Sequence, residues 1–180
     1  NIQRNVLETL AKETDPTKLV GLLPEILTLI EEQFNLLKSR KVPLEELIVS
    51  QTLSRELDKY SVLSPAVSAS KQLQTMGKAV HRGQRIRFIY IGPAPGIHAW
   101  GLPKQPDPRT IDVPQYKELA FRAVYEILQP LGITEKVLKG WIFDKAGYVT
   151  PADLADPAQR NVKQETPIFA DIRHLRLTNF

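Results

Sequence analysis

The stretch LSRELDKYSVLSPAVSASKQLQTMGKAVHRGQRIRFIYIG, residues 53–92, carries a helix and a strand with their punctuation intact. Ser64 followed by Pro65 is an N-cap with proline at the first helical position, and Gly77 offers the matching stop. A helix of about three turns fits between them. Gly83 then gives a turn, and Arg85-Ile86-Arg87-Phe88-Ile89-Tyr90-Ile91 sets bulky apolar residues between charged or aromatic ones, the alternation of a strand. Just upstream, Pro43 introduces a short turn, and residues 48–53 alternate apolar and polar as a half-buried strand does.

Working outward toward the N-terminus, Ile2, Val6, Leu7 and Leu10 have the spacing of one helical face and predict a helix that stops before the turn-prone Asp15-Pro16 pair. Between Thr17 and Arg40, apolar residues from Leu19 to Leu37 recur at three- and four-residue steps. Proline breaks helix interiors, so this long helix is expected to begin at Pro24 or to kink there. Lys38, Arg40 and Lys41 place charge where a helix C-terminus favours it.

Toward the C-terminus, residues 92–110 hold five prolines and three glycines, a composition that reads as an extended surface loop with neither ladder nor helix. Asp112 then caps a helix to Gln129 with Leu119, Val124, Ile127 and Leu128 as its expected core stripe. Pro130 and Gly132 end it, and Thr134 opens a short helix toward Trp141. Beyond Lys145 periodicity is poor apart from IRHLRL near the end. The reading is α+β, predominantly helical with a small strand pair. Residues 1–144 are expected to form one domain, and 145–180 a C-terminal extension packed on it.

With 180 residues, 42% of them apolar, the chain is long enough for one sizeable core or two small ones. The absence of cysteine excludes disulfide staples, thiolate nucleophiles and cysteine-based zinc sites. No apolar run approaches the roughly 18 residues of a membrane span, and the chain starts at Asn1 with no charged-then-apolar leader. A soluble fragment is expected, with the cytoplasm as the plain default. The net charge of +4 says little, but its distribution says more. Arg55, Lys59, Lys71, Lys78, Arg82, Arg85 and Arg87 face only Glu56 and Asp58, with His81 able to add charge. On composition alone, a solvated face is preferred to a polyanion site.

Nothing converges toward catalysis. His81, His98 and His174 have no second metal ligand at helical or hairpin spacing, and the neighbours in Glu31-Glu32 and Glu45-Glu46 point to different faces. No glycine cluster links a strand to a helix bearing a lysine. No catalytic or metal-binding residue is assigned. The start of the helix at Ser64-Pro65, where backbone donors favour a phosphate, follows Arg55, Lys59 and Tyr60 and precedes a basic turn from Lys78 to Arg85. Such a surface holds a phosphate backbone without reading bases.

The order of these blocks supplies more. PLEELIVSQTLSRELDKY (43–60), SPAVSASKQLQTMG (64–77), VHRGQRIRFIYIG (80–92) and YKELAFRAVYEILQPLG (116–132) together resemble the thumb region of family B DNA polymerases. IQRNVLE (2–8) is similar to the stretch after that family's last palm segment, and GPAP (92–95) to a loop of bacterial DNA polymerase II; archaeal family B enzymes share the pattern. The family fold implies a right hand in which palm aspartates bind two magnesium ions and extend a primer. Those palm motifs are not in this sequence. The resemblance therefore implies no cofactor on this chain, with magnesium held elsewhere in a full-length enzyme. Its role would be to clamp the primer-template duplex in replication or repair, alongside palm, fingers and exonuclease domains and with the nucleoid.

Carried over residue by residue, Arg55, Tyr60 and Lys71 occupy family positions. Lys59, Lys78, Arg82 and Arg85 join them as candidate DNA contacts. Ser64 and Ala66 depart from the glycine and histidine that many relatives place around that proline. At the far end HLRLTNF resembles a sliding-clamp peptide, with His174 in place of the usual glutamine and Leu177 and Phe180 as anchors. A different class of function remains open beside the thumb: a polymerase-derived module without catalysis that binds proteins such as a clamp.

Overall fold

Strong local punctuation yields the elements of the computed structural model, which describes residues 2–92 and 96–143. The elements are α1 (Ile2–Leu10), α2 (Leu23–Lys38), β1 (Val49–Thr52), α3 (Pro65–Thr75), β2 (Arg85–Ile91), β3 (Gly96–Ala99), α4 (Val113–Leu128) and α5 (Glu135–Ile142). Pro24 lies in the first turn of α2, and Pro16–Leu22 forms a 3-10 helix whose start is capped by Asp15. Ser64 accepts the Val67 N–H at the start of α3. Gly77, at φ 75°, closes the helix by donating to the Gln74 carbonyl while Lys78 N–H donates to that of Leu73. Asp112 and Thr134 cap α4 and α5 as expected.

The described residues fall into two compact units: Leu36–Lys117, and the segments 2–35 with 118–143. In the first, β1, β2 and β3 form one antiparallel sheet in that order. β3 corrects the expectation of a strand pair followed by a structureless loop. Proline-rich composition argues against a ladder only where N–H groups are missing, and Gly96–Ala99 contains no proline. Residues 108–110 add a 3-10 turn. Past it the chain returns beside β2, where Ile111 bridges Ile91 and Gly92 N–H donates to the Thr110 carbonyl at 2.6 Å.

Leu53, Ala66, Val67, Ala69, Leu73, Val80, Ile86, Phe88, Ile97 and Ala99 make this unit's core, with α3 laid on one face of the sheet. Beside it Tyr116 donates to the Leu47 carbonyl at 2.6 Å and accepts the Tyr90 N–H at 3.0 Å. Burial drives the Tyr116 phenol far above its ordinary pKa.

The second unit is helical. Val6, Ile26, Ile30, Phe34, Phe121, Val124, Leu128, Leu138 and Trp141 are buried, and Phe143 lies 5.9 Å from Phe34 and 5.6 Å from Phe121 between ring centres. The buried residues of α4 are Tyr116, Phe121, Val124 and Leu128, so Leu119 and Ile127 of the expected stripe stand half-buried beside it. Among the described residues no helix is long and apolar enough to cross a membrane.

Candidate nucleic-acid interface

Period-two alternation sorts the sheet's side chains. Ile86 and Phe88 of β2 point to α3, so Arg85 and Arg87 point to the opposite face. Register places Thr52 opposite Arg85 and Ser50 opposite Arg87, and all four are exposed. Further along the same face Ile89 is completely buried, so the open part is the end near Arg85. Charge counting along the chain does not separate the two faces; the alternation in RIRFI puts Arg87 with Arg85, and the register with β1 adds Ser50 and Thr52 beside them.

The ladder of β1 and β2 continues into the turns that follow and precede them. Leu53 N–H donates to the Gln84 carbonyl at 3.0 Å, and Gly83 N–H to the Leu53 carbonyl at 2.7 Å. The Tyr60 phenolic oxygen accepts the N–H groups of Ser54 at 2.9 Å and Arg55 at 3.1 Å. The Ser54 hydroxyl bond, aided by those amides and the Arg55 charge, holds the phenol below its ordinary pKa. Tyr60 therefore fixes the backbone that presents Arg55. Arg82 is tied from the other turn, its N–H donating to the Glu56 carboxylate at 3.3 Å. Arg55, Arg82 and Arg85 thus gather at one end of the β1–β2 pair.

The other candidates are placed elsewhere. Lys71 stands exposed on α3, which covers the face opposite Arg85. Lys59 lies 3.1 Å from Asp58 within its own turn, and Lys78 donates to the Gly101 carbonyl. Gly101 lines a recess of about 160 Å³ with His98, Trp100, Leu102, Gln105 and Pro106. His174, Leu177 and Phe180, and the extension 145–180, lie outside the described residues.

Electrostatically the two units differ. Leu36–Lys117 contains thirteen Lys and Arg against six Asp and Glu, whereas the rest of the chain has eleven against fourteen. Among the described residues, the side chains of Arg55, Lys71, Arg82, Arg85 and Arg87 form no ion pair with a carboxylate, while Arg109 is forked onto Asp107 at 2.7 Å. No three His, Asp or Glu side chains converge on a metal-sized site among the described residues.

The model of DNA polymerase family B matches residues 1–129. The chain belongs to that family. Its relatives include the DNA polymerase of Methanocaldococcus jannaschii, 27% identical over 76% of this chain and 8% of that protein. DNA polymerase 3 of Saccharolobus solfataricus is 27% identical over 77% of this chain and 18% of its own length. The family B DNA polymerase from Pyrobaculum calidifontis superposes with a TM-score of 0.57 at 26% identity, over 74% of this chain and 18% of that one. This family B chain thus spans less than a fifth of the relatives named here.

Proposed function

We propose that this family B chain acts as a thumb, gripping the primer-template duplex through its phosphates without reading sequence. One observation carries the reading: the family match covers a unit with a cationic excess of seven in which Arg55, Arg82 and Arg85 sit at one end of the β1–β2 pair, exposed and with side chains in no ion pair among the described residues. Cations held on a rigid sheet end position a duplex, whereas base reading needs side chains entering a groove. In a full-length parent, palm, fingers and exonuclease domains are the partners, and the palm holds the two magnesium ions that drive nucleotide transfer. Among the described residues no three His, Asp or Glu side chains converge on a metal-sized site, so the role of this chain is binding and orientation of the duplex.

The test is titration of the chain against a fluorescent primer-template duplex across a salt series, beside the variant Arg55→Ala/Arg82→Ala. Expected is binding whose log-log salt slope steepens by about 0.9 per phosphate neutralised, with a shallower slope and weaker affinity in the variant. A folded chain that ignores duplex even at the lowest salt overturns the reading.

A further inference from the structure

We propose that the open face of β1 and β2 is a built phosphate-binding face. In it Arg85 and Arg87 take successive phosphates of one DNA strand, and the hydroxyls of Ser50 and Thr52 complete the contacts. The proposal rests on the duplex-gripping reading and deepens it by saying which side of the sheet meets DNA.

Arg85 and Arg87 stand two residues apart on one face of one strand, about 7 Å along it, close to the step between neighbouring phosphates of a single strand. Their cross-strand partners Thr52 and Ser50 sit about 5 Å away at Cβ and bring neutral donors to the same oxygens. Neither hydroxyl has a hydrogen-bond partner, and neither guanidinium an ion pair, among the described residues. β2 is the central strand, so Arg87 is held from both sides: it registers with Ser50, and its carbonyl accepts the Trp100 N–H at 2.9 Å. A fixed backbone base lowers the ordering cost of gripping a ligand. Arg55 and Arg82 extend the same cationic end at the adjoining turns, whereas Lys71 lies on the helix side and cannot share this strand of phosphates. Planar guanidiniums suit phosphate oxygens through paired N–H donors, so the occupant is a sugar-phosphate backbone.

The experiment titrates the whole chain against the fluorescent primer-template duplex over a salt series with four variants, each checked by circular dichroism. Arg85→Thr/Arg87→Thr keeps strand propensity. It is expected to weaken binding about tenfold or more and to flatten the slope by about two units. Ser50→Ala/Thr52→Val, which removes no charge, weakens binding and leaves the slope unchanged. Arg87→Lys keeps charge but loses the fork, so affinity falls while the slope persists. Lys71→Gln leaves affinity within about twofold, since it loses no contact on this face. Should wild type bind in a salt-sensitive way while Arg85→Thr/Arg87→Thr matches it, the face is wrong and the gripping reading stands. Equal losses from Lys71→Gln also overturn the face, because binding would then be a diffuse field. A wild-type chain that never binds overturns both.

Discussion

Gln72 shows how much a single uncharged side chain contributes. Its amide donates to the Ile97 carbonyl at 2.7 Å and accepts the Ala99 N–H at 2.9 Å, satisfying the outer edge of β3 from α3. Gln72→Ala strands both partly buried backbone groups and is expected to cost about 1–3 kcal/mol in urea unfolding. Tyr116 plays the corresponding part on the far side of β2. Tyr116→Phe leaves the Leu47 carbonyl and Tyr90 N–H unmatched, with a similar expected loss of about 1–3 kcal/mol. It also has a pH signature. Burial raises the folded-state pKa of Tyr116, so above about pH 10 the unfolded phenol ionises while the folded one keeps its proton. Stability is therefore full below that pH and falls as pH rises through it. Burial of Tyr90 acts in the same direction, and the lowered Tyr60 acts in the opposite one. Unfolding midpoints measured between neutral and strongly alkaline pH are expected to fall less steeply in Tyr116→Phe than in wild type.

Among the elements, α3 and β3 mark the two ends of legibility. α3 is announced by residues within its own span, because Ser64, Pro65 and Gly77 each satisfy or terminate a local backbone demand. β3 has no such announcement: Gly96-Ile97-His98-Ala99 carries one β-branched residue, and although its ladder partner β2 ends only at Ile91, its other edge depends on Gln72, which lies on α3 and far back in sequence. The candidate site divides in the same way. The cations are visible as letters, but which of them share a face depends on register, and register is a tertiary fact that also recruits Ser50 and Thr52. The α4 stripe is half met for the same reason: Val124 and Leu128 are buried as expected, but Tyr116 and Phe121 rather than Leu119 and Ile127 complete it, since burial there is decided by what packs against it. Gly96→Ala tests β3 directly. A Cβ there would overlap the Ile91 carbonyl oxygen, and backbone cannot move aside cheaply. A loss of about 1–3 kcal/mol is expected, together with faster hydrogen exchange at the Ala99 amide as its pairing to Gln72 loosens.

At the scale of the whole molecule, the small net charge conceals an asymmetry that decides how the chain should meet a polyanion. Its overall +4 is the sum of a strongly cationic unit and a mildly anionic remainder. Counterion release counts only cations that touch phosphate, so the salt slope reports which residues make contact, while net charge predicts little. In the helical unit Lys12 pairs with Glu25 and Lys18 lies 3.7 Å from Asp15, so part of its positive charge is already answered. Exposed pairs of this kind contribute about 0–1 kcal/mol, and their removal leaves the fold essentially intact. The variant Lys12→Gln/Lys18→Gln/Lys136→Gln therefore lowers the net charge by three and is expected to leave duplex affinity and slope unchanged. Removing Arg55, Arg85 and Arg87 lowers net charge equally and is expected to flatten the slope by up to about 2.7 units. Equal effects from the two triple variants would mean that DNA responds to total charge, and the localisation of the grip to Leu36–Lys117 would be wrong.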